Sequence, residues 1–433
     1  MKRIQRKLPL GVALVLTAFV AGLIGCSPSA QFTANEVLML QKEDEADKSI
    51  EFSPQRRTDI ANVLVALFGT PDEPHVPAAL GISDSEVAQV MDPRKIKFAA
   101  GPVASDERGR ATGLYREHCA HCHGVTGDGV GPTSSFLNPY PRDYRRGIFK
   151  FKSTSKGQRP THVDLKRTLI NGIPGTAMPS FLVLPDNEIE ALIHYVRYLS
   201  VRGEVERLLI DYATYELDGK IEPTDAEPNP PPENRLVDLT ASDEVQEEQN
   251  EVIRSFVAEV TQKWLDAEST VTSVTAPDPD RNLAKSIDHG RELFYGPLAN
   301  CIKCHGDSAL GDGQTTDYDD WTKELEPTKP ELVAKFKQKG ALPPRTIHPR
   351  NLRLGVYRGG RRPIDLYWRL KNGIDGTPMP AVPMLPADAQ PGAKGLSETD
   401  LWSLIDYVRN LPYEPISNPR LAQPKPVNRR ERS

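Results

Sequence analysis

Apolar residues recur every three or four positions in several parts of the chain, a spacing that places them on one face of a helix. Two such stretches, 185–199 and 397–411, are closely alike. Their predicted buried positions are Ile189, Leu192, Ile193, Val196 and Leu199 in the first and Leu401, Leu404, Ile405, Val408 and Leu411 in the second. Ser397 is suited to cap the second helix and Pro412 to end it. No stretch alternates apolar and polar residues as a strand does, so the pattern predicts an all-α fold.

Three further helices are predicted outside these two stretches. One begins at Ser53-Pro54 and ends at Gly69, and a second spans residues 107–118. A third spans residues 242–266, with an apolar face of Val245, Val252, Phe256, Val260 and Trp264. The five prolines between residues 222 and 233 predict an extended spacer before that helix.

The first 25 residues have the pattern of an export signal. Basic residues at positions 2, 3, 6 and 7 precede an apolar run from Leu8 to Ile24. The run ends in Leu23-Ile24-Gly25-Cys26, which resembles a bacterial lipobox, in which the cysteine becomes the lipidated first residue of the mature protein. We therefore expect a signal peptide over 1–25 and a lipid anchor at Cys26, on the periplasmic side of an inner or outer bacterial membrane. The alternatives are an uncleaved membrane anchor and ordinary cleavage beside a stray cysteine.

Composition and charge exclude several classes of protein. A chain of 433 residues is too long for one small module, and its 39 prolines indicate long irregular connections. The formal net charge of −5 lacks the basic excess of nucleic-acid-binding proteins. Five cysteines are too few, and an odd number, for a disulfide-dense secreted scaffold.

Four of these cysteines belong to a duplicated sequence unit. The motif C-x-x-C-H occurs twice, as residues 119–123 and 301–305. Residues 171–179 and 372–380 agree at seven of nine positions, and 141–149 resembles 349–357. Three elements therefore recur in the same order, which indicates a duplication. The second copy is longer, and its surplus around residues 321–340 predicts an additional helical segment.

The repeat suggests a division of the chain into six parts. Two small helical domains would span 104–202 and 283–413, joined by a proline-rich and partly helical linker over 203–282. A partly helical extension over 26–103 would precede them, after the signal peptide 1–25, and a basic tail over 414–433 would follow.

Each C-x-x-C-H motif predicts one covalently bound haem c. Two cysteines on a helical turn, Cys119 and Cys122 or Cys301 and Cys304, can form thioethers with both vinyl groups of one haem. The histidine that follows, His123 or His305, can then present a neutral imidazole nitrogen to the iron. A zinc site, a redox dithiol and a structural disulfide are the alternatives, and none of them accounts for both histidines.

Methionine is the predicted sixth ligand of each iron. Met178 and Met379 occupy equivalent places in the two copies, downstream of the histidine and inside a loop of glycine and proline. A thioether ligand would favour ferrous iron and raise the potential. Met384 is the rival of Met379, while Met39 and Met91 lie outside the repeats and are expected to pack in cores.

With these motifs the chain resembles a di-haem cytochrome c of bacterial respiration, built from two class I cytochrome c domains. The resemblance covers both repeated units. It implies that His123 with Met178, and His305 with Met379, are the axial iron ligands. It also implies that a proline carbonyl receives the ring proton of the axial histidine; Pro132 would do so in the first unit, whereas the second unit has no proline at that place.

Four arginines recur in the two copies, Arg142 with Arg350 and Arg145 with Arg353. An arginine is suited to pair with a carboxylate such as a haem propionate. We therefore consider Arg142 and Arg350 as propionate partners, and the alternative is a role in the surface or in loop structure.

These observations predict an electron carrier rather than an enzyme. With both axial positions filled, the iron can exchange an electron but has no position for a substrate. The expected donor is a quinol-oxidising complex or a dehydrogenase, and the expected acceptor is a terminal oxidase or another cytochrome; no nucleic acid is expected. A fixed cytochrome subunit of a dehydrogenase or oxidase complex is the main alternative, and a di-haem peroxidase is the other.

Overall fold

A computed structural model describes residues 29–45, 52–217, 234–386, 388–390 and 392–414 of the chain. Cys26, the predicted signal peptide and most of the predicted basic tail lie outside these residues. The only strands in the described part are Ala104–Ser105 (β1) and Ala111–Thr112 (β2), which form an antiparallel pair. The all-α prediction is confirmed.

The described residues before the predicted extended spacer, which itself lies outside them, form eight α-helices. They are Glu36–Glu45 (α1), Pro54–Phe68 (α2), Asp84–Val90 (α3), Pro93–Ala99 (α4), Leu114–His118 (α5), Ala120–His123 (α6), His162–Asn171 (α7) and Asp186–Tyr215 (α8). Short 3₁₀ turns lie at Ser134–Phe136 and Tyr144–Arg146. The helix predicted over residues 107–118 is therefore mostly wrong, because β2 ends at Thr112 and Gly113 adopts a left-handed conformation with φ +74° before α5 begins.

Seven α-helices are described after the spacer. They are Asp243–Leu265 (α9), Leu283–Tyr295 (α10), Ile302–His305 (α11), Asp320–Glu324 (α12), Pro330–Gln338 (α13), Pro363–Asn372 (α14) and Glu398–Asn410 (α15). Further 3₁₀ turns lie at Asp266–Thr270, Leu352–Leu354 and Leu411–Tyr413. Helices α12 and α13 confirm the helical segment predicted for the surplus of the second copy.

The helix ends follow from local capping. Ser53 accepts the backbone N–H of Arg56 and Pro54 is the first residue of α2, as predicted. Ser397 and Asp400 form a reciprocal capping box at the start of α15. All five apolar positions predicted for each of the stretches 185–199 and 397–411 are buried.

The first hydrophobic core is larger than one repeated unit. Helices α1 to α4 of the N-terminal extension and helix α9 of the linker all pack on α8 or on its neighbours. Helix α8 has 30 residues and continues past residue 202, where the sequence suggested a domain boundary. The buried face of α9 is Ile253, Val257, Val260, Thr261 and Trp264. The predicted face was therefore partly wrong, since Val245 is exposed and Val252 and Phe256 are only half-buried.

The second core is built by α10 and α15 of the second unit. The two helices approach closely at Gly290, where an added Cβ atom would lie 1.9 Å from the carbonyl oxygen of Ser403. Only glycine fits this crossing. None of the described helices is long and apolar enough to cross a membrane.

Buried polar contacts join the two units. The ammonium group of Lys152 lies 3.0 Å from a carboxylate oxygen of Asp375, and both side chains are less than a tenth exposed. The same carboxylate accepts the backbone N–H of Gly157, and the amide of Asn372 donates to the carbonyl of Thr154. The units are thus held in one relative position by contacts that exclude water.

Candidate functional site

Each C-x-x-C-H motif forms a single helical turn. The backbone N–H of His123 donates to the carbonyl of Cys119 at 2.9 Å, and that of His305 to the carbonyl of Cys301 at 2.9 Å. A glycine with positive φ, Gly124 or Gly306, ends each turn. No disulfide joins any pair of the four motif cysteines. The two motifs therefore have the same backbone structure, as their duplication predicts.

The axial histidine candidates are oriented by backbone carbonyls of the recurring arginines. Nδ1 of His123 lies 3.0 Å from the carbonyl oxygen of Arg142, and Nδ1 of His305 lies 3.1 Å from that of Arg350. A carbonyl can only accept, so the ring proton is on Nδ1 and the lone pair of Nε2 is free for a metal. The prediction that Pro132 would fill this role is wrong.

The reason lies in the backbone of the segment around Pro132. The backbone N–H of Gly131 donates to the carbonyl of Cys122, and that of Thr133 to the carbonyl of His121. This segment therefore serves the open carbonyls at the end of the motif helix. The ring of His123 instead faces the later segment, where Tyr144 stacks on it with the ring centroids 4.7 Å apart.

Burial gives these groups the protonation states that suit haem attachment. It lowers the pKa of His123 to about 4 and also lowers the pKa of His305, so both imidazoles are neutral. It raises the pKa of Cys119 and of Cys301 to about 12. Redox dithiols depend on a lowered thiol pKa, so the redox-dithiol alternative is disfavoured.

The two methionine loops share one hydrogen-bond pattern. The backbone N–H of Met178 donates to the hydroxyl of Thr176 at 3.2 Å, and Met379 makes the same bond to Thr377 at 3.2 Å. In each loop the isoleucine five residues earlier donates its N–H to the methionine carbonyl at 3.1 Å. Met384 instead bridges to Leu396 in the second core.

Both motifs and both methionine loops line one continuous cavity of about 710 Å³. Its walls include all four motif cysteines, His123, His305, Met178 and Met379, but not Met384. Phe181 also lines it, whereas Tyr195 and Tyr198 pack in the first core. The buried Met39 and Met91 lie in that core too, as predicted. The residues present fit two haem groups, since each half of the cavity offers two thiols, an imidazole and a thioether.

Three uncompensated cations in the cavity wall add to this fit. Among the described residues, no carboxylate lies within ion-pair distance of Arg142, Lys150 or Arg358, and Nη1 of Arg142 and Nε of Arg358 are buried without a hydrogen-bond partner. Burial lowers the pKa of Arg142 to about 10 and that of Lys150 to about 7. Haem propionates are the carboxylates that such a wall can bind. Lys150 and Arg358 occupy equivalent places directly after the recurring segments 141–149 and 349–357, but the set of recurring arginines did not include this mixed pair of a lysine and an arginine.

The other recurring arginines have structural partners. Arg145 forms a two-point contact with Asp143, and Arg353 donates to the carbonyl of Ser308 and pairs with Glu414. Nε of Arg350 donates to the carbonyl of Val356 at 2.8 Å. The alternative of a role in loop structure thus applies to Arg145 and Arg353.

A cluster of His162, Glu190 and His194 lies away from the cavity. Its potential metal-binding atoms all lie within 4.8 Å of one another. Nδ1 of His194 accepts the backbone N–H of Asp92 at 3.0 Å, however, so the neutral ring carries its proton on Nε2, which lies 3.2 Å from the ammonium group of Lys95. No lone pair of this ring is left for a metal ion, so the cluster is a polar network.

Comparison with known proteins relates both units to one family. The sequence model of the family described as Cytochrome c matches residues 109–200 and 287–412, which together are half of the chain. None of the curated proteins matches. A chain of the reducing HAO-like protein complex of Kuenenia stuttgartiensis has 23% sequence identity and a TM-score of 0.43, over 72% of this chain and 98% of that chain. The chain belongs to the cytochrome c family, and its two matched regions bind two covalently attached haem c groups.

Proposed function

We propose that the protein is an electron carrier in which His123 and Met178 ligate one haem iron and His305 and Met379 ligate the other. The haem groups supply a one-electron couple at each site. The observation that supports this assignment is the shared cavity, into which both histidines and both methionines are directed by the same local backbone structure.

The protein's own residues keep each site closed to substrates. The carbonyls of Arg142 and Arg350 hold the ring proton of each histidine, which fixes the tautomer and leaves Nε2 for the iron. The hydroxyls of Thr176 and Thr377 hold the backbone of each methionine loop. With a thioether opposite each imidazole, no coordination position remains for oxygen or peroxide, which favours electron transfer over peroxidase chemistry.

The two sites are proposed to exchange electrons within the chain. The cavity is continuous from one motif to the other, and the buried pair of Lys152 and Asp375 holds the units in one relative position. Because the two units are fixed and little water lies between them, few solvent and protein dipoles must rearrange when an electron moves from one site to the other. Direct exchange therefore requires no separate docking of the two domains.

The near-infrared spectrum of the oxidised protein, scaled to haem content by the pyridine haemochrome assay, tests this proposal. We expect two haems per chain, each with a charge-transfer band from methionine to iron. A missing band, or a high-spin signal in its place, would mean one open iron and would support a di-haem peroxidase instead.

The lipobox supports an outer-face location. We propose that lipidation at Cys26 anchors the chain at the periplasmic side of a bacterial membrane, between a quinol-oxidising complex or dehydrogenase and a terminal oxidase or another cytochrome. Cys26→Ser should release the protein from membranes into the soluble fraction, and continued membrane retention would refute the anchor.

Purification in mild detergent distinguishes a mobile carrier from a fixed subunit, since only the latter stays in a stable complex.

A further inference from the structure

Trp321 belongs to the segment that the first unit lacks. It lies on the short helix α12, which Asp319 caps by accepting the backbone N–H of Thr322 at 3.0 Å. Its indole is half-buried, and it does not line the cavity that holds the predicted ligands. The ring lies instead between the first unit and a loop of the second.

Three basic side chains of the first unit converge on this indole. The guanidinium carbon of Arg142 lies 4.0 Å from the ring centroid, that of Arg146 lies 5.1 Å away, and the ammonium nitrogen of Lys150 lies 5.4 Å away. Arg146 also forms an ion pair with Glu324, at the end of the same helix. Cations over the face of an indole are attracted by its quadrupole, so α12 is attached to the segment 142–150.

The benzene ring of the indole also contacts the methionine loop of the second unit. A Cβ atom added to Gly376 would lie 2.2 Å from Cζ3 and 2.5 Å from Cη2 of Trp321. Gly376 has φ +70° and lies three residues before Met379. Because there is no room between the ring and this backbone, displacement of the ring would leave the loop unsupported.

The equivalent glycine of the first unit is covered in a different way. A Cβ atom added to Gly175 would lie 2.5 Å from Nη2 of Arg350, whose carbonyl accepts from His305. Arg350, which belongs to the second haem site, therefore covers the methionine loop of the first unit. Trp321, which packs on Arg142 of the first haem site, covers the methionine loop of the second unit. In the second loop Trp321 links Gly376 to Arg142, since its ring contacts both the glycine and the guanidinium.

We propose that Trp321 is a positioning residue for Met379, which it holds in ligating position by packing on Gly376 while it is itself fixed by Arg142 and Lys150. This inference rests on the proposed ligation of the second iron by Met379. It assigns a role to the surplus segment of the second unit, which supports the loop from outside the cavity.

The test uses the holoprotein with Met178→Ala, in which the remaining methionine band reports Met379 alone. Added imidazole competes with the methionine, and the concentration that removes half of the band measures how firmly Met379 is held. Trp321→Ala should lower this concentration at least tenfold, and Trp321→Phe should restore it to within threefold of the starting value, because a phenyl ring retains part of the packing and the attraction to cations.

Trp368→Ala is the matched control. Trp368 is a half-buried indole of the same unit and also faces an arginine of the first unit, Arg167, at 5.2 Å. The three atoms nearest to a Cβ added to Gly376 all belong to Trp321, and none to Trp368. The variant Trp368→Ala should leave unchanged the imidazole concentration that removes half of the band. Gly376→Ala is a second variant that should act like Trp321→Ala, since its Cβ would displace the ring and its positive φ would also strain the loop backbone.

The outcomes separate this inference from the proposed ligation. If Trp321→Ala needs the same imidazole concentration as the starting protein to lose half of the band, the role of Trp321 is overturned and the ligation stays in place. If Trp321→Ala does not fold, the same result in Gly376→Ala leads to the same conclusion. An equal loss in Trp368→Ala would also overturn it, because the effect would then be general. Absence of any methionine band in the Met178→Ala protein itself would overturn both.

Discussion

The ring nitrogen Nδ1 of His305 lies 3.1 Å from the carbonyl oxygen of Arg350, and the equivalent contact is made in the first unit. The backbone of a recurring arginine, not a proline, thus orients each histidine. A carbonyl provides this contact whatever side chain the residue carries. Changes to the arginine side chains should therefore test their charge while the orientation of the histidines is preserved.

The first prediction concerns the methionine ligands. Met178→Ala and Met379→Ala should each remove one of two charge-transfer bands in the near infrared, because each thioether lines its own end of the cavity. The affected iron should lose the preference for the ferrous state that a thioether provides, so its potential should fall. Potentiometric titration followed in the visible region measures this change.

Met384→Ala is the control for that experiment. Met384 lies in the same loop region as Met379 but packs in the second core and bridges to Leu396. Both bands should persist in this variant. Loss of a band in Met384→Ala, with retention in Met379→Ala, would exchange the roles of the two residues.

The second prediction concerns the buried charge of Arg142. Oxidised iron carries one more positive charge than reduced iron, so a nearby cation favours the reduced state. Arg142→Gln should therefore lower the potential of one haem by on the order of 60 mV, a tenfold change for a one-electron couple. Arg108→Gln, which removes an exposed arginine outside the cavity, should change neither potential. Equal potentials in Arg142→Gln and the unaltered protein would show that this charge is already neutralised.

The local chemistry of the sites could be predicted from sequence because it depends on neighbouring residues. The motif turns, the capping residue Ser397 and the buried face of α15 all follow from short-range spacing. The repeat also favours Met379 over Met384 as the ligand, because only the former has a counterpart in the first unit, and ligation by Met379 stays a prediction.

The features that were missed depend on how distant segments meet. The shared cavity brings Lys150 of one unit and Arg358 of the other into the same wall. The two residues follow directly after the recurring segments 141–149 and 349–357, but only the meeting of the two units shows that both line one cavity. Pro132 was assigned by its distance from the motif, but the structure uses that segment to bind the carbonyls at the end of the motif helix. The face of α9 was misassigned because its register depends on the helices against which it packs.

The third prediction concerns the ion pair between the units. Asp375→Ala would leave the buried ammonium group of Lys152 with its hydrogen bonds to Thr154 and Ser155 but without a carboxylate. Removing one partner of a buried ion pair destabilises folded proteins by about 3 kcal/mol. The change should lower the midpoint of denaturant unfolding. Glu259→Ala, which breaks the exposed pair with Lys263, should cost less than about 0.5 kcal/mol. Similar costs for the two variants would mean that the contact between the units contributes little.

The fourth prediction concerns the pH dependence of stability. His194 is buried, and its pKa is lowered to about 4, mainly by burial and then by the nearby charges of Lys95 and Arg197. His162 also opposes its protonation, whereas Asp92 favours it. In the unfolded chain an ordinary histidine takes up a proton near pH 6.5. Between pH 6.5 and about 4 the unfolded state therefore binds a proton that the folded state does not.

Stability from this group should be complete above pH 6.5 and should fall as the pH is lowered towards 4, by about 3 kcal/mol in total. His194→Gln removes the titrating group, so its stability should fall less steeply over this range, and its deficit relative to the unaltered protein should shrink on acidification. Denaturant unfolding at several pH values between 4 and 7 measures both slopes. The exposed His75→Gln is the control and should follow the unaltered protein at every pH. Parallel curves for His194→Gln and His75→Gln would show that His194 takes up its proton in the folded state as readily as in the unfolded chain.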